Sequence, residues 1–148
     1  MYKKILLPTD GSEYSKKAGE HAIWFAEEAI SQIIVLNVID TSYLNSIPQE
    51  DLGSTLEDHF KAEGNRAVNR FSEKLQNDQC DGKCKNVQFV TKIKKGQPVD
   101  EILKTIKEEG IDLVVMGASG KHGLKRLYPG SVTERVVRSA ECPVLVIK

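Results

Sequence analysis

The chain has 148 residues, 40% of them apolar and 28% charged, with 21 Lys and Arg against 21 Asp and Glu. That length fits one domain over residues 1–148 with a proper hydrophobic core. Zero formal charge removes the electrostatic footprint expected of a protein for nucleic acid or an anionic membrane surface, and the strand-sized apolar runs are too short for a transmembrane helix.

Taken in chain order, the first predicted strand is Lys3 to Pro8. Met1 leads straight into it without a signal peptide's apolar core, so a cytoplasmic location is expected. Ser12 is placed to cap the next helix, with Glu13 in its first turn and Ala18, Ala22, Phe25, Ala26 and Ala29 as its buried stripe. The second strand is Ile33 to Val38. A stretch rich in Ser, Asn and Pro follows, from Asp40 to about Gln49, with the composition of a mobile loop. A long helix is expected from about Glu50 to Asn77, with Leu52, Leu56, Phe60, Val68, Phe71 and Leu75 at helical spacing and Gly64 on the same face.

The third strand is Val87 to Ile93. Gly96-Gln97-Pro98 starts a helix with Val99, Ile102, Leu103 and Ile106 on its apolar face, and Gly110 stops it. The fourth strand is Leu113 to Met116. Val132, Val136 and Val137 mark the last helix, and Val144 to Ile147 is the fifth strand. Strands alternating with helices in this way predict an α/β fold, a doubly wound parallel sheet of five strands. Cys142 reads as a small core residue, and Cys80 and Cys84, without a nearby His or second pair, make a poor zinc site.

The chemistry concentrates between Met116 and Val136. An apolar strand ends in Gly117-Ala118-Ser119-Gly120, a basic loop with Lys121, His122, Lys125 and Arg126 follows, and Gly130-Ser131 opens a helix. Glycine lets main-chain N–H groups approach an anion, and a helix N-terminus adds unpaired donors and partial positive charge. Ser131, Val132 and Thr133 would present those donors, so the pattern points to a phosphate cradle. The plainer reading is turn punctuation, but about a dozen residues is more than such a connection needs. It is neither a P-loop nor a Rossmann fingerprint: Val115 stands where a P-loop has Gly, and His122 where it has Ser or Thr. Asp10, at the end of the first strand, is either a turn residue of Asp-Gly-Ser or a carboxylate for the magnesium of a nucleotide.

The glycine spacing, the opening YKKILLPTDGSEYS, the run IIVLNVID and the ending CPVLVIK together resemble the universal stress protein family, in its ATP-binding branch, over nearly the whole chain. The resemblance implies a Rossmann-like sheet in the order 3-2-1-4-5. It implies an ATP site formed by Pro8, Thr9, Asp10, Val38, Met116, Gly117, Ala118, Ser119, Gly120, Lys121, Gly130, Ser131, Val132 and Thr133. Pro8 and Val38 would line the adenine pocket, and Asp10 would meet Mg2+ or Mn2+ carried with the nucleotide. In that strand order the ends of strands one and four face each other at a topological switch point, where open α/β sheets bind ligands.

The expected function is an ATP-binding regulatory, stress-response homodimer joined through Val144 to Ile147 and read by a protein partner of unknown identity. The alternatives are a slow ATPase or phosphotransferase, for which no general base or nucleophile can be assigned, and a structural dimer that binds no nucleotide. The SGGxDS motif of ATP pyrophosphatases and the HIGH motif of nucleotidyltransferases are both absent.

Overall fold

A computed structural model describes residues 2–29, 31–44, 50–80, 87–118 and 130–148, with backbone alone at 43, 44, 50–54 and 78–80. The elements are β1 (Lys4–Pro8), α1 (Glu13–Ala29), β2 (Gln32–Asp40), α2 (Thr41–Leu44), α3 (Glu50–Cys80), β3 (Gln88–Gly96), α4 (Pro98–Glu109), β4 (Leu113–Gly117), α5 (Ser131–Ser139) and β5 (Val144–Ile147). The five strands form one parallel sheet in the order β3-β2-β1-β4-β5.

Period-two alternation divides the core into two layers. On one face Ile5, Leu7, Ile33, Val35, Leu113 and Val115 pack with Ala18, Ala22 and Ala26 of α1 and with Val68, Phe71 and Leu75 of α3. On the other Leu6, Ile34, Leu36, Val114 and Met116 meet Val99, Ile102 and Ile106 of α4 and Val136 of α5. Alanines on α1 let it lie close to the sheet, and Gly19 goes further: a Cβ there would fall 2.0 Å from Cε1 of Phe71. Phe25 and Ala29, expected in the buried stripe, are only half-buried.

The caps follow the sequence closely. Ser12 Oγ accepts the Ser15 N–H at 3.3 Å and so caps α1. Gly110 ends α4 in the left-handed region at φ 62°, and the Ile111 N–H closes the turn on the Ile106 carbonyl at 3.0 Å.

Several boundaries differ from the sequence expectation, most by a single residue and a few by more. β2 runs on to Asp40 and β3 to Gly96, because the two pair in register from Gln32↔Gln88 to Asp40↔Gly96. Part of the stretch expected as a mobile loop forms the short helix α2, whose start is held by Asp40 Oδ1 accepting the Ser42 N–H at 2.9 Å. α3 continues to Cys80. The Leu52 side chain, the Cys80 thiol, Cys84 and residues 45–49 lie outside the described residues.

Candidate functional site

Both seams flanking β1 end at its carboxyl end, the switch point at which open α/β sheets have their crevice. On the β4 side the pairing reaches only Leu6↔Val114. Lys3 accepts the Gln32 N–H and Thr9 donates to the Leu36 carbonyl at 2.8 Å, so odd-numbered residues of β1 address β2 and even-numbered ones address β4. Pro8 is even-numbered and has no N–H, so the next rung toward β4 has no donor. On the β2 side the pairing stops at Pro8↔Leu36, although β2 continues for four residues beside β3.

The turn leaving β1 is held by a chain of short-range hydrogen bonds. Thr9 is buried, and its hydroxyl accepts the Gly11 N–H at 3.2 Å and donates to Ser15 Oγ at 3.1 Å. Ser15 Oγ in turn donates to the Ser12 carbonyl at 2.9 Å. Asp10 Oδ1 accepts the Ser12 N–H at 3.0 Å, an Asx turn that orients its half-buried carboxylate. Gly11 takes φ 78°, a left-handed position that favours glycine.

The second wall is the end of β4 with the start of α5. Ala118 donates to the Ile147 carbonyl at 2.7 Å and accepts the Gly130 N–H, also at 2.7 Å. Thr133 Oγ1, buried, donates to the Gly117 carbonyl at 2.9 Å. The chain therefore leaves at Ala118 and returns at Gly130 through a closed clamp. Glu134 N–H to Gly130 carbonyl, 2.9 Å, is the first hydrogen bond of α5. The main-chain N–H groups of Ser131, Val132 and Thr133 come before it, so they have no partner within the helix. Gly117 faces the first turn of α1 so closely that a Cβ would stand 2.7 Å from the Tyr14 carbonyl carbon.

The sheet thus brings Pro8, Thr9 and Asp10 beside Met116, Gly117 and Ala118, with Gly130, Ser131, Val132 and Thr133 at the adjoining helix start and Val38 on the neighbouring strand. Ser119, Gly120, Lys121, His122, Lys125 and Arg126 lie outside the described residues. Among the described residues no trio of His, Cys, Asp and Glu gathers into a metal site. A hard cation here would be one held between Asp10 and phosphate oxygens.

Sequence reasoning missed Asn37. It is a polar residue at 8% exposure inside the apolar β2, and its Nδ2 donates to the Thr9 carbonyl at 2.8 Å. Its signal was there to read: one amide in IIVLNVID, next to the strand end that carries Val38.

The model of the universal stress protein family matches residues 1–148. This chain belongs to that family. A universal stress protein of Methanocaldococcus jannaschii is 36% identical over 148 residues, covering 100% of this chain and 83% of that protein. A second one from the same organism is 37% identical over 161 residues, and its solved structure has a TM-score of 0.84 at 34% identity, covering 100% of this chain and 96% of that one. An Arabidopsis thaliana member of the family, solved with AMP bound, shares the fold at a TM-score of 0.64 and 24% identity, over 99% of this chain and 91% of that one. The strand order that the family resemblance implied is the observed one.

Proposed function

We propose that this universal stress protein binds ATP, with Mg2+ or Mn2+ carried on the nucleotide, in the crevice at the carboxyl ends of β1 and β4. The observation that carries the reading is the convergence there of a turn bearing Asp10 and a glycine-lined strand end clamped to the start of α5. The α5 start offers three main-chain donors and the positive end of a helix dipole to phosphate oxygens. Asp10 supplies the carboxylate that a magnesium–phosphate complex takes up. The Arabidopsis relative, which holds AMP, has the same fold.

In this reading ATP is a regulatory ligand. The protein changes its surface with nucleotide state, and a protein partner reads the change in the cytoplasm. The functional unit is a homodimer.

Titration calorimetry with ATP and MgCl2 tests the site. Gly130 sits in extended backbone, φ −64° and ψ 160°, which valine adopts without strain. Gly130→Val should therefore fold normally and crowd the phosphates. The expected loss is at least tenfold in affinity, about 1.4 kcal/mol. Unchanged ATP binding by that variant would overturn the assignment, and rapid phosphate release by the protein alone would favour an ATPase.

A further inference from the structure

The β1–β2 seam opens one rung before the geometry of the strands requires it. In a parallel ladder a residue that donates to one carbonyl across the seam receives the N–H two residues further along. Thr9 donates to the Leu36 carbonyl, so the regular donor to the Thr9 carbonyl is the Val38 N–H. Instead the Asn37 side chain takes that carbonyl at 2.8 Å. Val38 lies on the same alternation as Leu36, so its main-chain N–H and C=O both turn toward β1, which has already left the sheet.

Room for the Asn37 amide comes from α3. A Cβ on Gly64 would lie 2.4 Å from Asn37 Oδ1, so any larger residue at that position would push into the amide. The long helix, the amide and the Thr9 turn are thus in one line of contact.

We propose that Asn37 is a positioning residue that holds the β1–β2 seam open for a purine base, its side-chain amide standing in for the Val38 N–H on the Thr9 carbonyl. The inference rests on the nucleotide reading above and adds the device that gives the base its place. An N–H beside a C=O, both turned toward the opened seam, matches adenine, which offers an acceptor at N1 next to a donor at N6. Guanine presents the opposite pair, so the seam selects adenine through main-chain groups alone.

Two measurements on Asn37→Ala test this. The first is residue-resolved amide exchange without nucleotide. With the competing amide gone, the Val38 N–H can take the Thr9 carbonyl, so its exchange should slow by roughly tenfold or more. The second compares ATP with inorganic tripolyphosphate, both with Mg2+. ATP affinity should fall by at least about tenfold while tripolyphosphate affinity stays within about twofold. A merely structural role would lower both affinities together and leave Val38 exchange unslowed; either result overturns the proposal. Asn37→Asp keeps the shape and loses the donor, so it should show the same ATP loss and serves if the alanine variant does not fold. If the unaltered protein binds neither ATP nor tripolyphosphate, the nucleotide reading fails, and the Val38 exchange still decides whether Asn37 holds the seam.

Discussion

At Gly117 the gap between β4 and α1 is as wide as bare backbone. A methyl group there would meet the Tyr14 backbone, which belongs to the first turn of a helix and cannot swing aside. Gly117→Ala should destabilise the fold by about 1–3 kcal/mol, the usual range for overpacking a close contact, and should pull α1 and the Asp10 turn away from the crevice. Gly110 makes the opposite case: its φ is 62° but a Cβ would meet nothing within 4 Å. Gly110→Ala should cost only about 1 kcal/mol of conformational strain. Urea unfolding of the two variants separates the causes, and ATP affinity should drop only for the first. Both glycines were plain in the sequence as punctuation, but which of them is steric and which conformational depends on Tyr14, a neighbour from a distant part of the chain. The sequence marks Thr133 only as a main-chain donor at a helix start. Its hydroxyl holds the Gly117 carbonyl, a bond no local pattern announces.

Among the elements, β3 shows best why hydropathy understates a strand's length. Lys92, Lys94 and Lys95 break its apolar run, so hydropathy places the end at Ile93 while the pairing with β2 continues to Gly96. An edge strand tolerates these lysines and is protected by them. Lys92 pairs with Glu109, Lys95 with Glu57, and Lys94 with Glu108 at 3.1 Å and Glu101 at 3.8 Å. The Lys92 ammonium, hydrogen-bonded to Glu109, holds that carboxyl below its ordinary range. Its small contribution is therefore present above the ordinary carboxylate pKa and fades as the pH falls through the lowered one. Exposed pairs like these are worth little individually, so Lys92→Ala and Lys94→Ala should each leave the urea midpoint nearly unchanged. Their joint replacement by Val should instead show as association, with rising light scattering at concentrations where the unaltered protein stays clear. A large stability loss with no association would refute the edge-guarding role. The centres of the helix stripes, by contrast, are legible: Val68, Phe71 and Leu75 on α3 and Val99, Ile102 and Ile106 on α4 are buried where helical spacing puts them, whereas Phe25, Leu56, Phe60 and Leu103 are half-buried and Val137 is exposed.

For the whole molecule, the two sheet edges are unlike, and that difference makes the β5 edge the one to test for self-association. β3 carries its lysines, whereas β5 reads Val144-Leu145-Val146-Ile147 with no charge, and all four residues are half-buried. Val114 and Ala118 donate to the Pro143 and Ile147 carbonyls, so by alternation the main-chain groups of Val144 and Val146 face away from β4. Those outward groups would be satisfied by an antiparallel β5 from a second copy, which closes a twofold interface. Leu145 packs against the α1–α3 layer of the core, so replacing it would confound folding with assembly. Val146 offers the cleaner test, since Val146→Pro removes an outward donor and leaves the rungs to β4 intact. Light scattering and sedimentation should find a dimer for the unaltered protein at micromolar concentration and a folded monomer for Val146→Pro. If the unaltered protein is monomeric, or the proline variant remains dimeric, the β5 edge is not the interface. Because β5 also accepts the Ala118 N–H through Ile147, loss of the dimer should loosen the clamp at Gly130 and weaken ATP binding. Equal ATP affinity in monomer and dimer would mean that the nucleotide site and the interface are energetically independent.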